Sequence, residues 1–416
     1  MTEVATPTDR GVQRTFWTYW SATTISSMGS AVAIVAVPLV AVLLLDATVF
    51  EASLLTAASY VGWLVLGLPA GVIVQRRPLR QIQVAMDVIR LVSQLSLPIA
   101  WWLGHLTFLH LLLATLVTGL ATILFDVANA TFLPRIIPKD ELTSRNSFVS
   151  GTHAVTQSGG PSLGGLLVQV VGPATSLVAD AVSYALSAVL LLRLPESTPV
   201  TDTSAPTSSM RASIAEGWRF VRHHPVMFPS MLWATATNFA CGALFALMPV
   251  YLVRDLDLSA AVVGLMIAAD GVGTLLGSIV TPRLVRRLGS ARAMVLASLG
   301  GAALSLTMAL ASPSTAWLFA IGNAGYAVGV VVGSVVTRTH RQVESPPDLL
   351  SRVMATVRFM SWGAPLVGAL GAGALATVLS THAALWAACA ATFIAPVILL
   401  LSPVRGLRNL SETDAG

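Results

Sequence analysis

Long apolar runs separated by short polar knots set the pattern of this chain. A membrane-spanning helix needs about 20 mostly apolar residues. Twelve stretches qualify, near 16–45, 52–74, 82–103, 107–131, 148–170, 174–193, 228–252, 260–282, 291–312, 316–337, 353–378 and 383–402. The runs are continuous, whereas barrel strands are about ten residues of alternating pattern. The first run is long enough to tilt or to include an interfacial turn. The pattern predicts an all-α membrane protein with twelve transmembrane helices.

Most connections are very short, and the exception divides the chain. The segment 194–227 follows the sixth span and contains PESTPVTDTSAPTSSMRASIAEGWRFVRHHPVM. Its first part, rich in Ser, Thr and Pro, predicts a flexible linker. Its second part, from Arg211 to His224, predicts an amphipathic helix lying on the membrane surface. The expected units are a six-helix half over 1–193, a linker over 194–227, and a second six-helix half with its tail over 228–416.

Composition strengthens this picture. The chain is 55% hydrophobic and 10% charged, with a mean hydropathy of +0.78. A soluble domain carries about 25% charged residues, and this chain lacks the polar residues to cover a water-facing surface. The first fifteen residues, MTEVATPTDRGVQRT, lack the apolar core and cleavage site of a signal peptide. The first apolar run is too long for such a core, so it is expected to stay as a membrane helix. Cys241 and Cys389 each fall inside an apolar run and read as small core residues. They form neither a disulfide framework nor a metal spacing.

The net charge of +5 reads as a topology signal. Arginine and lysine gather at the N-terminus (Arg10, Arg14), after span two (Arg76, Arg77, Arg80) and after span four (Arg135, Lys139, Arg145). They recur in the central linker, after span eight (Arg283, Arg286, Arg287, Arg292), after span ten (Arg338, Arg341, Arg352) and in the tail (Arg405, Arg408). The opposite-side loops hold only Arg254, among Asp46, Glu51, Asp255 and Asp257. By the positive-inside rule both termini are expected in the cytoplasm, in a plasma-membrane protein. The same distribution argues against nucleic acid as a partner.

An internal repeat carries more information. GVIVQRRPLR (71–80) ends span two, and GSIVTPRLVRRLG (277–289) ends span eight, about 206 positions later. Ser144-Arg145 matches Ser351-Arg352, and Pro161 and Gly164 match Pro365 and Gly368. Two parallel halves with Gly/Pro-interrupted helices at matching places mark secondary transporters. Gly71 and Gly277 remove side chains where helices approach closely. The arginines stop the helix at the headgroups. Two readings stay open for the cluster of Gly71, Gln75, Arg76, Arg77 and Arg80 and that of Gly277, Arg283, Arg286 and Arg287: topology anchors alone, or anchors that also gate.

With these motifs the chain resembles the major facilitator superfamily over nearly its whole length. FLPRIIPKDELTSRNS (132–147), GPSLGGLL (160–167) and EGWRFVRHHPVM (216–227) are similar to the bacterial branch that includes macrolide and multidrug exporters and the enterobactin exporter. DVIR, from Asp87 to Arg90, and Asp180 look like that branch too. The resemblance implies an acid four residues after the glycine, facing the N-terminus of span eleven and locking the outward-open state. Gln75 stands there, and Thr281 in the second copy. A neutral Gln accepts a hydrogen bond but lacks the charge–dipole term of about 0.3–1 kcal/mol.

Ionisable groups inside a bilayer are functional candidates. Asp87 and Arg90 share a helix face at i, i+3, and with Asp126 they predict a charge network pinning spans two to four. Asp270 falls in mid-span, in MIAADGVGTLLGS, without a basic residue at i±3 or i±4. It reads either as a proton carrier or as a neutral, hydrogen-bonded core group. Asp180 carries the same pair of readings nearer the outer face. A midplane pocket between the halves predicts Ser27, Ser30, Asn129, Asn238, Phe239, Phe245, Asn323 and Tyr326 as lining, which suits an amphipathic solute.

No nucleotide-binding GxxxxGK[ST] loop occurs, and no Ser–His–Asp set is supported, so no enzyme activity, cofactor or metal is expected. The resulting expectation is a monomeric secondary transporter working by alternating access. Its expected partners are the lipid bilayer, protons and a small molecule, with proton-driven efflux of a hydrophobic drug or natural product. The export direction follows from the resemblance. Siderophore export, import, and a non-transporting sensor or scaffold with the same fold are the alternatives.

Overall fold

The computed structural model describes residues 9–67, 69–75, 77–138, 141–195, 210–346 and 349–411. The first half contains α1 (Asp9–Leu44), α2 (Val49–Leu66), α3 (Pro69–Gln75), α4 (Leu79–Trp102), α5 (Phe108–Ile136), α6 (Leu142–Val171) and α7 (Pro173–Leu192). The linker helix is α8 (Met210–His223). The second half contains α9 (Met227–Val250), α10 (Ala260–Leu288), α11 (Ser290–Ala309), α12 (Trp317–Glu344), α13 (Leu350–Trp362), α14 (Ala364–Val378), α15 (Thr381–Ala391) and α16 (Ile394–Leu400). Span two of the sequence is α2 with α3, span eleven is α13 with α14, and span twelve is α15 with α16.

Eleven helical segments of the described residues are long and apolar enough to cross a membrane. Helix α6, 30 residues long, is not among them. Its first two-thirds, LTSRNSFVSGTHAVTQSGG, is largely polar. The packed part runs from Gly160 onward: Gly160 and Gly164 lie against Ala31 and Val32 of α1, and Gly165 lies against Gly264 of α10. Most described residues of the polar part are exposed or half-buried.

Local signals place the helix ends. Thr48 caps α2: its hydroxyl accepts from the Glu51 amide at 3.2 Å, and its own amide donates to the Glu51 carboxylate at 2.7 Å. This reciprocal pair satisfies two otherwise unpaired donors. The turn before it recurs in the second half. The Ala47 amide reaches the Ala41 carbonyl at 2.9 Å, and the Leu258 amide reaches Leu252 at 3.0 Å. Each turn is closed by an aspartate in the left-handed region, Asp46 at φ 46° and Asp257 at φ 50°. Asp tolerates that region because its short polar side chain bonds locally.

The repeat is also spatial. Gly164 of α6 meets the backbone of Val32 in α1, the first helix of its half. Gly368 of α14 meets the backbone of Phe239 in α9, the first helix of the other half. Between the halves, α6 packs on α10 and α14 packs on α2. The matching Pro/Gly pairs in the sequence mark helices that serve both contacts.

The two ends of the bundle differ. Away from the chain ends, one apolar core joins the halves, with Leu39 and Val40 of α1 packed with Leu244, Leu247 and Met248 of α9. At the end carrying the described chain termini the cores are separate. Phe16, Phe132 and Leu191 belong to the first half, and Trp233, Met294 and Leu399 to the second. The halves therefore share an apolar core at one end and keep separate cores at the other.

Helix α8 forms near the predicted boundaries, and part of its apolar side packs on protein. Val221 is fully buried in a cluster with Met231 of α9 and Val353 and Val357 of α13. Gly217 lies against the Arg352 backbone and Thr356, and Arg352 pairs with Glu216. The amphipathic pattern thus has a protein partner in α13, with Trp218 and Phe220 half-buried at its edge.

Candidate functional site

Where the halves part, a cavity of about 710 Å³ opens between α2, α9, α12 and α13. Trp63 and Leu64 of α2 form one wall, and Asn238 of α9 lies opposite. Arg338 and Arg341 reach it from α12, and Arg358, Phe359 and Trp362 from α13. The Arg358 guanidinium lies 4.4 Å from the Trp63 ring and 5.0 Å from the Trp362 ring. Those two rings are themselves 4.4 Å apart and belong to different halves. Arg358 is exposed, and these cation–π contacts fix its position against the rings.

A second cavity, of about 180 Å³, lies deeper in the second half. Asp270 and Thr274 of α10, Phe245 of α9, and Asn323 and Tyr326 of α12 line it. Sequence reasoning placed Asp270 with the coupling group, and Phe245, Asn323 and Tyr326 with the pocket; the structure brings them to one space. Tyr326 donates to the Thr237 carbonyl at 3.3 Å, and the Asn323 amide donates to the Met266 carbonyl at 3.1 Å. Asn323 thus braces α12 on α10. Among the described residues, no hydrogen bond or ion pair is assigned to the Asp270 carboxyl.

The first half holds a polar seam. Gln83, Asp87, Arg90 and Gln94 are all buried along one face of α4. Asp87 pairs with Arg90, whose guanidinium is sandwiched 4.1 Å from the Phe125 ring and 4.4 Å from the Tyr184 ring. Gln94 donates to Asp180 of α7 at 2.8 Å. Ser30 of α1 bonds the Tyr184 hydroxyl at 3.0 Å. Asp180 therefore joins the seam of Asp87 and Arg90 instead of standing apart. Asp126 is exposed and forms no ion pair among the described residues, so it acts on Arg90 only through space.

The remaining predicted residues separate. Asn129 accepts from the Tyr19 hydroxyl at 2.5 Å inside the first half, so it braces α5 on α1. Ser27 is half-buried on α1, and Phe239 contributes its backbone to the contact with Gly368. Gly277 lies against Val328 and Val331 of α12, where a Cβ would come within 3.1–3.2 Å of them. That close approach is within the second half. Arg283, Arg286 and Arg287 are exposed and make no ion pair among the described residues. Arg80 donates to the Leu194 carbonyl at 2.7 Å, and Arg77 is exposed. Arg76, the surroundings of Gly71 and the side chain of Gln75 lie outside the described residues.

Sequence reasoning missed Trp63, Trp233 and Trp362 and read Arg338 and Arg341 as anchors. The sequence did mark Arg358 as an ionisable group inside span eleven, less deeply placed than the buried acids. The Gln83–Asp87–Arg90–Gln94 stripe, at i, i+4, i+7 and i+11, was also legible as one helix face.

Comparison with known proteins agrees with this architecture. The family of transmembrane secretion effectors matches residues 7–414, and the chain belongs to that family of MFS transporters. It is 27% identical to an uncharacterized MFS-type transporter, YfiS of Bacillus subtilis (strain 168), over 379 residues, 88% of this chain and 87% of that one. It is 25% identical to the multidrug efflux pump Tap of Mycolicibacterium fortuitum over 399 residues, 93% of this chain and 94% of the pump. Among solved structures, a point mutant of the nucleoside transporter NupG superposes with a TM-score of 0.77 at 9% identity, over 93% of this chain and 99% of that one. A bacterial homologue of the iron transporter ferroportin gives 0.71 at 16% identity in its inward-facing state, over 93% of this chain and 98% of that one. In its outward-facing state it gives 0.57 at 17% identity, with the same coverage. The chain is thus a multi-pass membrane transporter of the MFS type.

Proposed function

We propose that this transporter exports a hydrophobic or amphipathic small molecule across the cytoplasmic membrane by alternating access, driven by proton entry. One observation carries the reading: the halves share a core at one end and part around a drug-sized cavity at the other. Arginine asymmetry supports placing that end on the cytoplasmic side. Closer superposition on an inward-facing neighbour than on its outward-facing form supports that assignment. Export of a drug-like compound is supported by the likeness to Tap.

Asp270 is the proton site in this reading. Its carboxyl lies in a small cavity beside the boundary between the halves, without a fixed partner among the described residues. An ionised carboxylate in such a medium is poorly solvated, so loading and releasing a proton changes the cost of exposing the site to either side. Asp180 and Asp87 of the α4 seam supply two further carboxyl groups, both buried, in the other half.

The test is flux in proteoliposomes, using anionic, neutral and cationic amphipathic dyes with and without an imposed proton gradient. Uphill movement that collapses with the gradient is the expected result. Flux insensitive to the gradient would leave exchange down the substrate's own gradient. No flux of any dye would count against drug-like export.

A further inference from the structure

The wall of the 710 Å³ cavity is basic and aromatic. Arg338, Arg341 and Arg358 all line it, with Trp63, Trp362 and Phe359 beside them. No carboxylate lines it among the described residues. Asp126 of α5 acts on Arg358 through space without pairing with it. Three guanidinium groups around one space repel each other, and at an apolar wall that repulsion is weakly screened. A bound anion would turn it into attraction.

Topology alone does not account for this arrangement. An anchoring arginine reaches water or headgroups. The Nε and Nη1 atoms of Arg341 are instead buried and have no protein acceptor among the described residues. Buried donors are normally paired. Arg358 lies against the tryptophan rings of both halves, and among the described residues no acceptor is assigned to its fork, which suits a planar acceptor. The rings offer stacking surface to an aromatic solute.

We infer that this cavity binds an organic anion, an aromatic solute bearing a carboxylate, sulfonate or catecholate group, in preference to a cation. The inference rests on the reading of this cavity as the substrate site. Arg341 and Arg358 take the anionic group, and Trp63 and Trp362 stack on the ring system. Because Trp63 and Trp362 come from different halves, the occupant touches both moving bodies. It therefore has differential contact with the open and closed arrangements, which any ligand that drives a switch requires.

Two xanthene dyes of opposite charge separate the possibilities: anionic carboxyfluorescein and cationic rhodamine 6G. Binding to the purified, detergent-solubilised full chain is followed by dye anisotropy, so no proton gradient is involved. Carboxyfluorescein is expected to bind at least tenfold more tightly than rhodamine 6G. Arg341→Gln and Arg358→Gln should each weaken it about tenfold, while Arg358→Lys keeps part of the affinity. Asp126→Asn, which removes the neighbouring acid, should tighten it about threefold, a gain that misfolding cannot mimic. Tighter binding of rhodamine 6G, binding of neither dye, or anion affinity within twofold of wild type in both glutamine variants would overturn the inference. Anion binding without gradient-driven flux would instead leave the anion site standing and remove proton-driven export. Gradient-driven flux of the cation with no anion binding would do the reverse.

Discussion

The carboxylate of Asp46 accepts from the Arg254 guanidinium at 2.7 Å, across the boundary between the halves. Asp46 follows α1, and Arg254 lies in the π-helical turn Tyr251–Asp255 that ends α9. The bridge is at the end where one apolar core spans both halves. It is solvent-exposed, so it acts as a latch on a closure that the core supplies. In a background lacking Cys241 and Cys389, a cysteine replacing the buried Met248 should label faster with an impermeant maleimide once Asp46→Asn is introduced. Exchanging the pair, as Asp46→Arg with Arg254→Asp, should restore slow labelling. Identical rates in all three would leave the bridge without a role in closure.

The contact of Gly165 with Gly264 sets how closely α6 and α10 approach. A Cβ at Gly165 would meet the Gly264 Cα at 2.8 Å. Gly165→Leu should therefore wedge the halves apart at the closed end. Spin labels on cysteines replacing His105 and Ser314, one in each half, should report a longer mean distance in that variant. An unchanged distribution would mean the helices slide rather than separate.

Gly277 tests the repeated glycine in a different place, because it packs α10 on α12 within one half. Gly277→Leu overpacks that contact, which typically costs about 1–3 kcal/mol. A lower thermal unfolding temperature of the purified protein and reduced flux are expected, with membrane insertion intact. Wild-type stability and flux would remove the packing argument for this glycine.

For coupling, Asp270→Asn keeps the shape and the hydrogen-bonding capacity of the side chain but cannot cycle a proton. It should abolish proton-driven accumulation while preserving substrate binding and downhill exchange. Asp180→Asn, with its Gln94 partner still present, should have a smaller effect. Wild-type accumulation with an unchanged pH profile in Asp270→Asn would move the coupling site to Asp180 or away from both acids.

Orientation has its own test. Single cysteines replacing Thr203, in the linker, and Ser380, the cap of α15, should label from opposite sides of intact cells. The impermeant reagent should reach only the Ser380 position. Labelling of both from outside would reverse the arginine argument.

The sequence alone determined the helices, the pseudo-repeat and the expected orientation. Each depends on residue type over a short window: about 20 apolar residues make a span, and arginines at alternate ends give a sign. The same windows marked Pro161, Gly164, Pro365 and Gly368 as equivalent. Tertiary structure alone decided which helices touch. It placed α8 against α13, because an amphipathic stripe states only that it needs an apolar partner. It moved Asp180 into the Arg90 seam and left Asp126 outside it, because spacing along one helix does not set the rotation of the next. It also gathered Arg338, Arg341, Arg358 and two tryptophans around one cavity from three helices. A cavity is a property of surfaces that fail to meet, and that depends on distances between segments far apart in the chain.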